Sequence, residues 1–452
     1  MAEIKIPYPQ NVLAVVASLR ACMAAVVWLD GEAGGRYSII AADPQEQLVT
    51  KHSGTWLHRA QTRTFLGDGD PLALLQTRLD ATAPPALTHS SSLPFHGGAI
   101  GYFGYELGRR LQGQMPSLGD GPDMAVGLYH WAFVIDHQQQ QAWLVGDVPE
   151  AAIACLREPL STNAASWQPN GPVSVSPEFI GYARAFNRVM EYLYAGDCYQ
   201  INLSRRFTAP FRGDPLGVYA DFRQRAGGPF AAYFELPGGP ILSGSPERFL
   251  QLRDGVVETR PIKGTRARLA DPRADAAVAQ ALVNSAKDQA ENTMIVDLLR
   301  NDLGRGCVTG SVEVPYLHQL ESFATVHHLV SVVTGELSPH MKATDLLRDT
   351  LPGGSITGAP KWRAMEIIDE LEGGPRGVYC GAMGYIGWDG SMDTNIAIRT
   401  LTAHAGYLDY RAGGGIVVDS RCHDEFAETE SKAAAFRDLI EHTGNQSCIE
   451  SA

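Results

Sequence analysis

The chain predicts a mixed helix-and-strand protein, one large composite domain or two intimate ones, and three observations carry that expectation. Its 452 residues exceed the usual span of one domain and are long enough to bury a large core. Hydrophobic residues make up 44% and charged residues 19%, the balance of an ordered globular protein. Short strand patterns bounded by glycine, aspartate and proline alternate with helical ones along the whole chain.

Residues 11–30 read as a helix leading into a strand at 25–29, and Gly34-Gly35 turns the chain into a second strand ending at Ile40. Pro71 opens a short helix over 71–79 with leucines at helical spacing, and 82–94 reads as loop. Gly97, Gly98, Gly101, Gly104 and Gly108 lack the strand, tight turn and lysine of a phosphate cradle, so they predict close backbone packing. Residues 124–135 and 142–145 read as paired strands around a solvated glutamine turn. The stretch 160–175 is the best linker candidate, followed by a helix over 177–196 with Ser176 as cap and Pro177 in its first turn. Strands are expected at 198–207 and 231–236.

Residues 243–268 hold the densest chemistry. A strand at 249–252, a turn at Arg253-Asp254-Gly255 and a returning strand at 256–259 form a hairpin. Pro261 ends that pairing and leaves Lys263-Gly264-Thr265 as a loop whose glycine admits close approach of a ligand. Glu247 stands near the start of the hairpin and Lys263 beyond its end. Arg260, Arg266 and Arg268 flank the lysine, and clustered positive charge favours its neutral, nucleophilic form. A solvated surface lysine is the competing account of the same window.

The strongest helical segment covers 275–299, with Asp288 and Glu291 on one face and Asp297 two turns on. After Gly413-Gly414-Gly415, residues 416–418 read as a short strand, and Glu425, Glu428 and Lys432 then share a helix face. Glutamates facing each other from separate helices either form salt bridges or hold a hard divalent cation through oxygen. The glycine-rich loop 352–361 runs flexibly into a helix over 362–371 whose free N–H groups suit a carboxylate. Residues 384–387 and 395–400 suggest a hairpin presenting the guanidinium fork of Arg399. His327-His328 supply either a donor or base, or a satisfied structural pair; their spacing defines no zinc site.

The net charge of -13, without a compensating basic tract, argues against broad nucleic-acid binding. Cysteines at 22, 155, 198, 307, 380, 422 and 448 are scattered and odd in number, which fits a reducing compartment. The apolar stretch 12–29 is broken by Arg20 and makes neither a secretory signal nor a spanning helix, so no membrane partner and a cytoplasmic location are expected.

Together, ordered motifs over almost the entire chain resemble the chorismate-utilising enzyme family, which includes aminodeoxychorismate, anthranilate, isochorismate and salicylate synthases. The N-terminal part of the match is Gly35-Arg36-Tyr37-Ser38-Ile39-Ile40-Ala41-Ala42-Asp43-Pro44 and Gly101-Tyr102-Phe103-Gly104-Tyr105-Glu106-Leu107. Its specific core is Ser245-Pro246-Glu247-Arg248-Phe249, Pro261-Ile262-Lys263-Gly264-Thr265, Glu291-Asn292 through Asp302-Leu303-Gly304-Arg305, the 354–361 loop, Ile396-Ala397-Ile398-Arg399-Thr400, and Glu425 through Lys432.

The resemblance implies an α+β fold, a composite two-layer antiparallel sheet core with outer helices. Residues 1–165 would be a structural region, with the tryptophan pocket of relatives as a candidate feature. They would pack intimately with a chorismate-binding catalytic region, 166–452. Trp28-Leu29-Asp30 departs from the leucine-leucine-glutamate-serine motif of feedback-controlled relatives, so tryptophan inhibition is not inferred. Lys263 replaces the alanine of anthranilate relatives, and Gln200 stands where isochorismate and salicylate relatives carry a water-activating lysine. These two positions point to the aminodeoxychorismate-forming branch, with an anthranilate-forming component or a silent chorismate-binding regulatory subunit as alternatives.

Carried over residue by residue, Lys263 becomes a covalent nucleophile and Glu247 the proton donor. Glu291 and Glu428 become Mg²⁺ ligands, supported by Asp288 and Glu425. Gly264, Thr265 and His328 would orient the ring, while Tyr379, Arg399, Lys432 and the Gly413 backbone would hold the enolpyruvyl side. The implied product is 4-amino-4-deoxychorismate, on the way to 4-aminobenzoate and folate. No glutamine amidotransferase nucleophile motif is recognisable, so the implied ammonia source is a partner, the PabA component.

Overall fold

The structure, a computed structural model, describes residues 3–51, 54–85, 92–113, 119, 121–157, 166–323 and 326–447. Two large antiparallel sheets form its centre. The first runs Glu3–Ile6, Gln141–Gly146, Trp131–Asp136, Tyr37–Ala41, Val27–Asp30, Ala231–Leu236, Gly239–Ser243, Thr400–His404, Tyr407–Ile416, Gln200–Gly213 and Trp167–Pro169. The second runs Ile262–Ala267, Val326–Glu336, Val256–Thr259, Arg248–Arg253, Met392–Ile396, Ala382–Gly387, Gly98–Phe103, Met124–Tyr129, Glu46–Lys51, Gly54–Arg59 and Thr62–Gly67. Early and late strands pair directly in both, Val27 opposite Phe234 in the first and Gly101 opposite Gly384 in the second.

Strand alternation sorts the core into layers. Val27, Ile39, Val134 and Phe234 pack with Ile100, Tyr102, Met383 and Tyr385 between the sheets. Their chain neighbours Trp28, Ile40, Phe133 and Tyr233 face the other way, into a cluster with residues of the helices Val12–Cys22, Pro215–Ala226 and Cys422–Ser447. Burial on both faces explains why Trp131–Asp136 reads as a nearly unbroken apolar run. A one-residue slip would exchange the two sets, each large apolar side chain being worth about 1.5–3 kcal/mol when buried. The expected glycine packing is present: a Cβ on Gly101 would lie 2.3 Å from the Ala125 carbonyl oxygen, and one on Gly108 2.4 Å from Pro352 Cδ.

Several local expectations change. The helix expected to lead into a strand at 25–29 is Val12–Cys22, and the strand is present at Val27–Asp30. Residues 124–135 divide at His130 into a strand in each sheet. The linker region carries two short strands, Trp167–Pro169 and Ser174–Ser176, both paired with Gln200–Gly213, and its first residues lie outside the described ones. Ser176 therefore ends a strand rather than capping a helix, and the helix begins at Phe179 behind Glu178. Residues 86–91 of the expected 82–94 loop also lie outside the described residues.

The helical stretch 275–299 is two helices, Pro272–Val283 and Ala286–Gly304. The Ser285 side chain accepts the Asp288 N–H at 3.3 Å and starts the second. Gly413-Gly414-Gly415 lies inside the strand Tyr407–Ile416 rather than before one. Cys22 and Cys155, not foreseen as partners, are bonded sulfur to sulfur between the helices Val12–Cys22 and Glu150–Arg157, while Cys198, Cys307, Cys380 and Cys422 are free. No described helix is long and apolar enough to cross a membrane.

Candidate active site

Lys263 lies on a strand, not in a loop. Ile262–Ala267 pairs with Val326–Glu336, the same long strand that pairs with Val256–Thr259, so Pro261 only interrupts a continuing edge. Its carbonyl still accepts the Ser331 N–H at 3.2 Å. The register steps from Lys263 opposite Leu329 to Thr265 opposite His328, leaving Gly264 as an extra, bulged residue with φ +71°. A Cβ there would lie 2.8 Å from Leu282 Cδ1 and 3.0 Å from Asp288 Cβ, so the glycine lets the strand pass the start of the acidic helix.

The arginines do not depress the Lys263 pKa as expected. Arg260 pairs with Glu321, Arg266 with Asp288 at 2.9 Å and Arg268 with Asp275 at 2.8 Å, so their charge is neutralised locally. Lys263 is half-buried as a residue, but its charged end is enclosed, and burial is the main force pulling its pKa down, with Lys432 adding to it. Glu291, Glu247 and Glu428 act against that shift. The Lys263 side chain has no hydrogen bond or ion pair among the described residues.

Glu247 sits at the junction of Gly239–Ser243 and Arg248–Arg253, where its backbone carbonyl accepts the Ile396 N–H at 3.0 Å. Burial pushes its carboxyl up to about 7, against the opposing charge of Lys263. The carboxyl receives the Ser355 hydroxyl at 3.3 Å and the backbone N–H of Ile262, the residue next to the lysine. Ser355 escaped the sequence reading because the 352–361 segment looked flexible. It is instead buried from Pro352 through Gly358 and packed so closely that a Cβ on Gly354 would lie 2.3 Å from Leu298 Cδ2.

The two acidic sets do face one another electrostatically. Burial raises the Glu291 pKa, Lys263 and Lys287 oppose, and Asp288 and Glu428 raise it further. Burial would also raise Glu428, but Lys432, 2.6 Å away, and Lys263 outweigh it and the net shift is downward. Glu425 is raised by burial while it accepts the Ser420 hydroxyl at 2.6 Å. Gly414, within the strand Tyr407–Ile416, faces these acids: a Cβ on it would be 2.9 Å from Glu425 Oε2 and 3.5 Å from Glu428 Oε1. Among the described residues, however, no group of three metal-ligating side chains is gathered in holding geometry. Asp297, exposed and bound to Arg300 at 3.3 Å, is not part of the cluster.

Adjacency on a strand separates the two histidines. His328 shares its Nδ1 with the Thr265 hydroxyl at 2.8 Å, and burial, then Arg399 and His327, lower its pKa to about 4. His327 points elsewhere, to Asp275 at 3.0 Å and the Ser322 hydroxyl at 2.7 Å, and is structural. Arg399 is not on a hairpin: it occupies the crossover from Met392–Ile396 in the second sheet to Thr400–His404 in the first, at φ +48°. It has no ion-pair partner among the described residues. Lys432 donates to the Gly413 carbonyl at 2.9 Å. Tyr379 is buried beside the Arg376 guanidinium, 5.6 Å from its ring, and Arg376 binds the backbone of Asn202 and Ile356.

An enclosed lysine, a buried acid with a raised pKa, facing carboxylates and the unpaired Arg399 guanidinium stand together on the two-sheet scaffold. The chain belongs to the family of chorismate binding enzymes, which it matches over residues 24–438. Aminodeoxychorismate synthase component 1 of Klebsiella aerogenes is 48% identical over 405 residues, 88% of this chain and 89% of that protein. Anthranilate synthase component 1 of Pseudomonas putida is 36% identical over 433 residues, 90% of this chain and 87% of that one. The crystal structure of anthranilate synthase component I from Streptococcus pneumoniae TIGR4 has a TM-score of 0.76 at 31% identity, covering 88% of this chain and 92% of the other. The expected α+β architecture of two antiparallel sheets with outer helices is therefore that of a chorismate-utilising enzyme, and relatives with different reactions share it.

Proposed function

We propose that this chain acts as an aminodeoxychorismate synthase component I, converting chorismate and ammonia to 4-amino-4-deoxychorismate. The observation that carries the reading is the pair of opposed shifts at Lys263 and Glu247, a lysine drawn toward its neutral form beside a carboxylic acid held toward its protonated one. Neutral Lys263 attacks C2 of chorismate, the two ring double bonds shift, and the C4–O bond breaks as Glu247 delivers its proton, so water leaves. Ammonia adds at C4, the double bonds shift back and the C2–N bond breaks. The new C4 ammonium returns a proton to the Glu247 carboxylate, which restores both residues. Placed proton transfer and covalent catalysis each lower the barrier, and the enolpyruvyl ether is untouched.

Arg399 and Lys432 provide cationic donors for the enolpyruvyl carboxylate, with Tyr379 and the Gly413 backbone behind them, while Gly264, Thr265 and neutral His328 orient the ring. The donor set of Glu291 and Glu428, with Asp288 and Glu425 direct or through water, suits Mg²⁺: hard oxygen ligands whose mutual repulsion is part of what raises Glu291. Such an ion would supply countercharge to the ring carboxylate. Ammonia would come from a glutamine amidotransferase partner, the PabA component, in the cytoplasm, and the product would feed 4-aminobenzoate and folate synthesis.

The test is mass-resolved product analysis with chorismate, Mg²⁺ and ammonium, with and without an amidotransferase and glutamine. An amino product retaining the enolpyruvyl group is expected. Anthranilate with pyruvate would overturn the assignment, and absence of turnover in both arrangements would favour a silent binding subunit.

A further inference from the structure

We infer that Glu106 and Arg376 are positioning residues for the amination proposed above, Glu106 holding the turn that carries Tyr379 and Arg376 holding the segment that carries Ser355; the inference rests on that reading. Gly104-Tyr105-Glu106-Leu107 opens the helix Tyr105–Leu111, far in sequence from the catalytic motifs. The Glu106 side chain is buried against the other half of the chain. One carboxylate oxygen accepts the Arg376 N–H and the other the Gly377 N–H, each at 2.8 Å. The Tyr105 N–H donates to the Gly377 carbonyl at 2.9 Å, and the Arg376 carbonyl accepts the Tyr379 N–H at 3.2 Å. Gly377, at φ +63°, makes the turn between them. With both oxygens engaged by adjacent backbone donors, the carboxylate fixes the direction in which that turn leaves toward Tyr379.

The Arg376 guanidinium lies beside the Tyr105 ring, at 4.8 Å, as well as that of Tyr379. It donates to the Ile356 carbonyl at 3.0 Å and the Asn202 carbonyl at 2.7 Å, and forks onto Glu372 at 2.7 and 2.9 Å. The Asn202 N–H in turn donates to the Thr357 carbonyl at 2.8 Å. The single turn Gly354–Ile356 is thereby strapped to the strand Gln200–Gly213, and Ser355 in the middle of it is the residue whose hydroxyl reaches Glu247 at 3.3 Å. Gly108, on the same helix as Glu106, packs on Pro352 at the entry to that segment. One N-terminal helix thus abuts both pieces of backbone.

Neither residue acts on the reacting atoms in the mechanism above; each fixes a group that does. A buried ion pair such as Arg376–Glu372 adds little stability once desolvation is counted. The planar guanidinium fork adds reach, to a carboxylate and two carbonyls at once, where a lysine has a single nitrogen. Acceptance from two consecutive N–H groups likewise needs a carboxylate, because a carboxamide has one acceptor and one donor. Displacing a supporting group by about an ångström can cost about 10²-fold in rate, so both residues sit where small shifts are felt.

The experiment is steady-state kinetics of the full chain with chorismate, Mg²⁺ and ammonium across pH, comparing Glu106→Gln with Arg376→Lys. Glu106→Gln loosens the Tyr379 turn, so the KM for chorismate should rise roughly tenfold while kcat changes less than about threefold, the scale of one lost charge-assisted hydrogen bond. Arg376→Lys releases Ser355, so kcat should fall roughly tenfold. Its alkaline limb of kcat/KM should also move to higher pH, because the Ser355 hydroxyl is one of the groups that hold the Glu247 pKa down. The charged groups facing Glu247 are Lys263, on the strand Ile262–Ala267, and Lys432, on the helix Cys422–Ser447, and neither variant touches them. Ser355→Ala should move the limb in the same direction, and Arg376→Lys added to it should move it no further. A merely structural pair would lower the thermal midpoint and leave KM and limb at their wild-type values, and that result overturns the inference while the reaction stands. If Arg376→Lys does not fold, the KM of Glu106→Gln decides. A wild-type protein that forms no amino product from chorismate and ammonium removes both readings.

Discussion

Lys263 and Lys361 invite comparison because burial pulls both below the ordinary lysine pKa. Lys361 donates to Asp302 at 2.6 Å and to the Thr350 carbonyl at 2.8 Å. Asp302 is itself buried, raised by desolvation and held back by Lys361, so the two charges depend on each other. Lys263 is enclosed without any such partner and is influenced by Glu291, Glu247 and Glu428 only through space. Burial alone therefore does not make a reagent. A contacting carboxylate holds Lys361 as an ammonium that pins the helix Lys361–Glu372 to the helix Ala286–Gly304, whereas Lys263 can give up its proton without breaking a bond.

The sharpest way to break that comparison is to remove each amine. Lys263→Ala should lower kcat/KM with chorismate and ammonium by at least about 10³-fold, the scale expected of a covalent catalyst. Its thermal midpoint should match or exceed the wild type's, because an unpaired buried amine is lost; a collapsed fold would make Lys263 another pin. Lys361→Ala should do the reverse. Stranding Asp302 costs about 3–5 kcal/mol, read from urea unfolding, and Lys361→Met with Asp302→Leu should recover much of it. Wild-type stability in Lys361→Ala would mean that the observed pair contributes nothing to the fold.

The strand pattern was legible because both faces of many strands are buried, which leaves an unmistakable apolar run at Trp131–Asp136. The linker was misread because its polar composition reports exposure, and edge strands such as Ser174–Ser176 are exposed while still hydrogen bonded. At the site, the face shared by Glu425, Glu428 and Lys432 follows from helical spacing alone. Lys263 was found for a partly mistaken reason: its arginine neighbours are adjacent in sequence, but each is neutralised by an acid outside that window, Arg260 by Glu321, Arg266 by Asp288 and Arg268 by Asp275, and only packing supplies the burial that shifts the lysine. Ser355 and Arg376 have no local signal at all, since each is defined by what lies opposite it.

Glu247 should give the next effect in size. Its carboxyl is raised to about 7, so the proton it donates is present below that value and lost as pH rises through it. The alkaline limb of kcat/KM should accordingly fall near neutrality, and Glu247→Gln should remove that limb while costing about 10²-fold or more. The same shift bears on stability. A carboxyl whose folded pKa lies above its unfolded value of 4.5 stabilises the fold relatively at low pH, and loses that advantage as pH climbs from 4.5 through about 7. The loss is on the order of 3 kcal/mol. Glu247→Gln should therefore be the more stable protein at pH 8, measured by denaturant midpoint, although the less active one.

The smallest expected effect returns to pairing. His328 is depressed to about 4, chiefly by burial, so it is neutral wherever Glu247 and Lys263 work, and no activity limb should appear near the ordinary histidine value. Its Nδ1 is satisfied by the Thr265 hydroxyl at 2.8 Å, which fixes the ring's orientation without charging it. Thr265→Val keeps the shape and removes that partner, at a cost of about 0.5–1.5 kcal/mol. Chorismate KM should rise several-fold with kcat nearly unchanged, because His328 is asked to orient substrate rather than carry a proton. A kcat collapse of the size expected for Glu247→Gln would instead make His328 an acid–base group, and place the division between held and free protons at the histidine rather than at the two lysines.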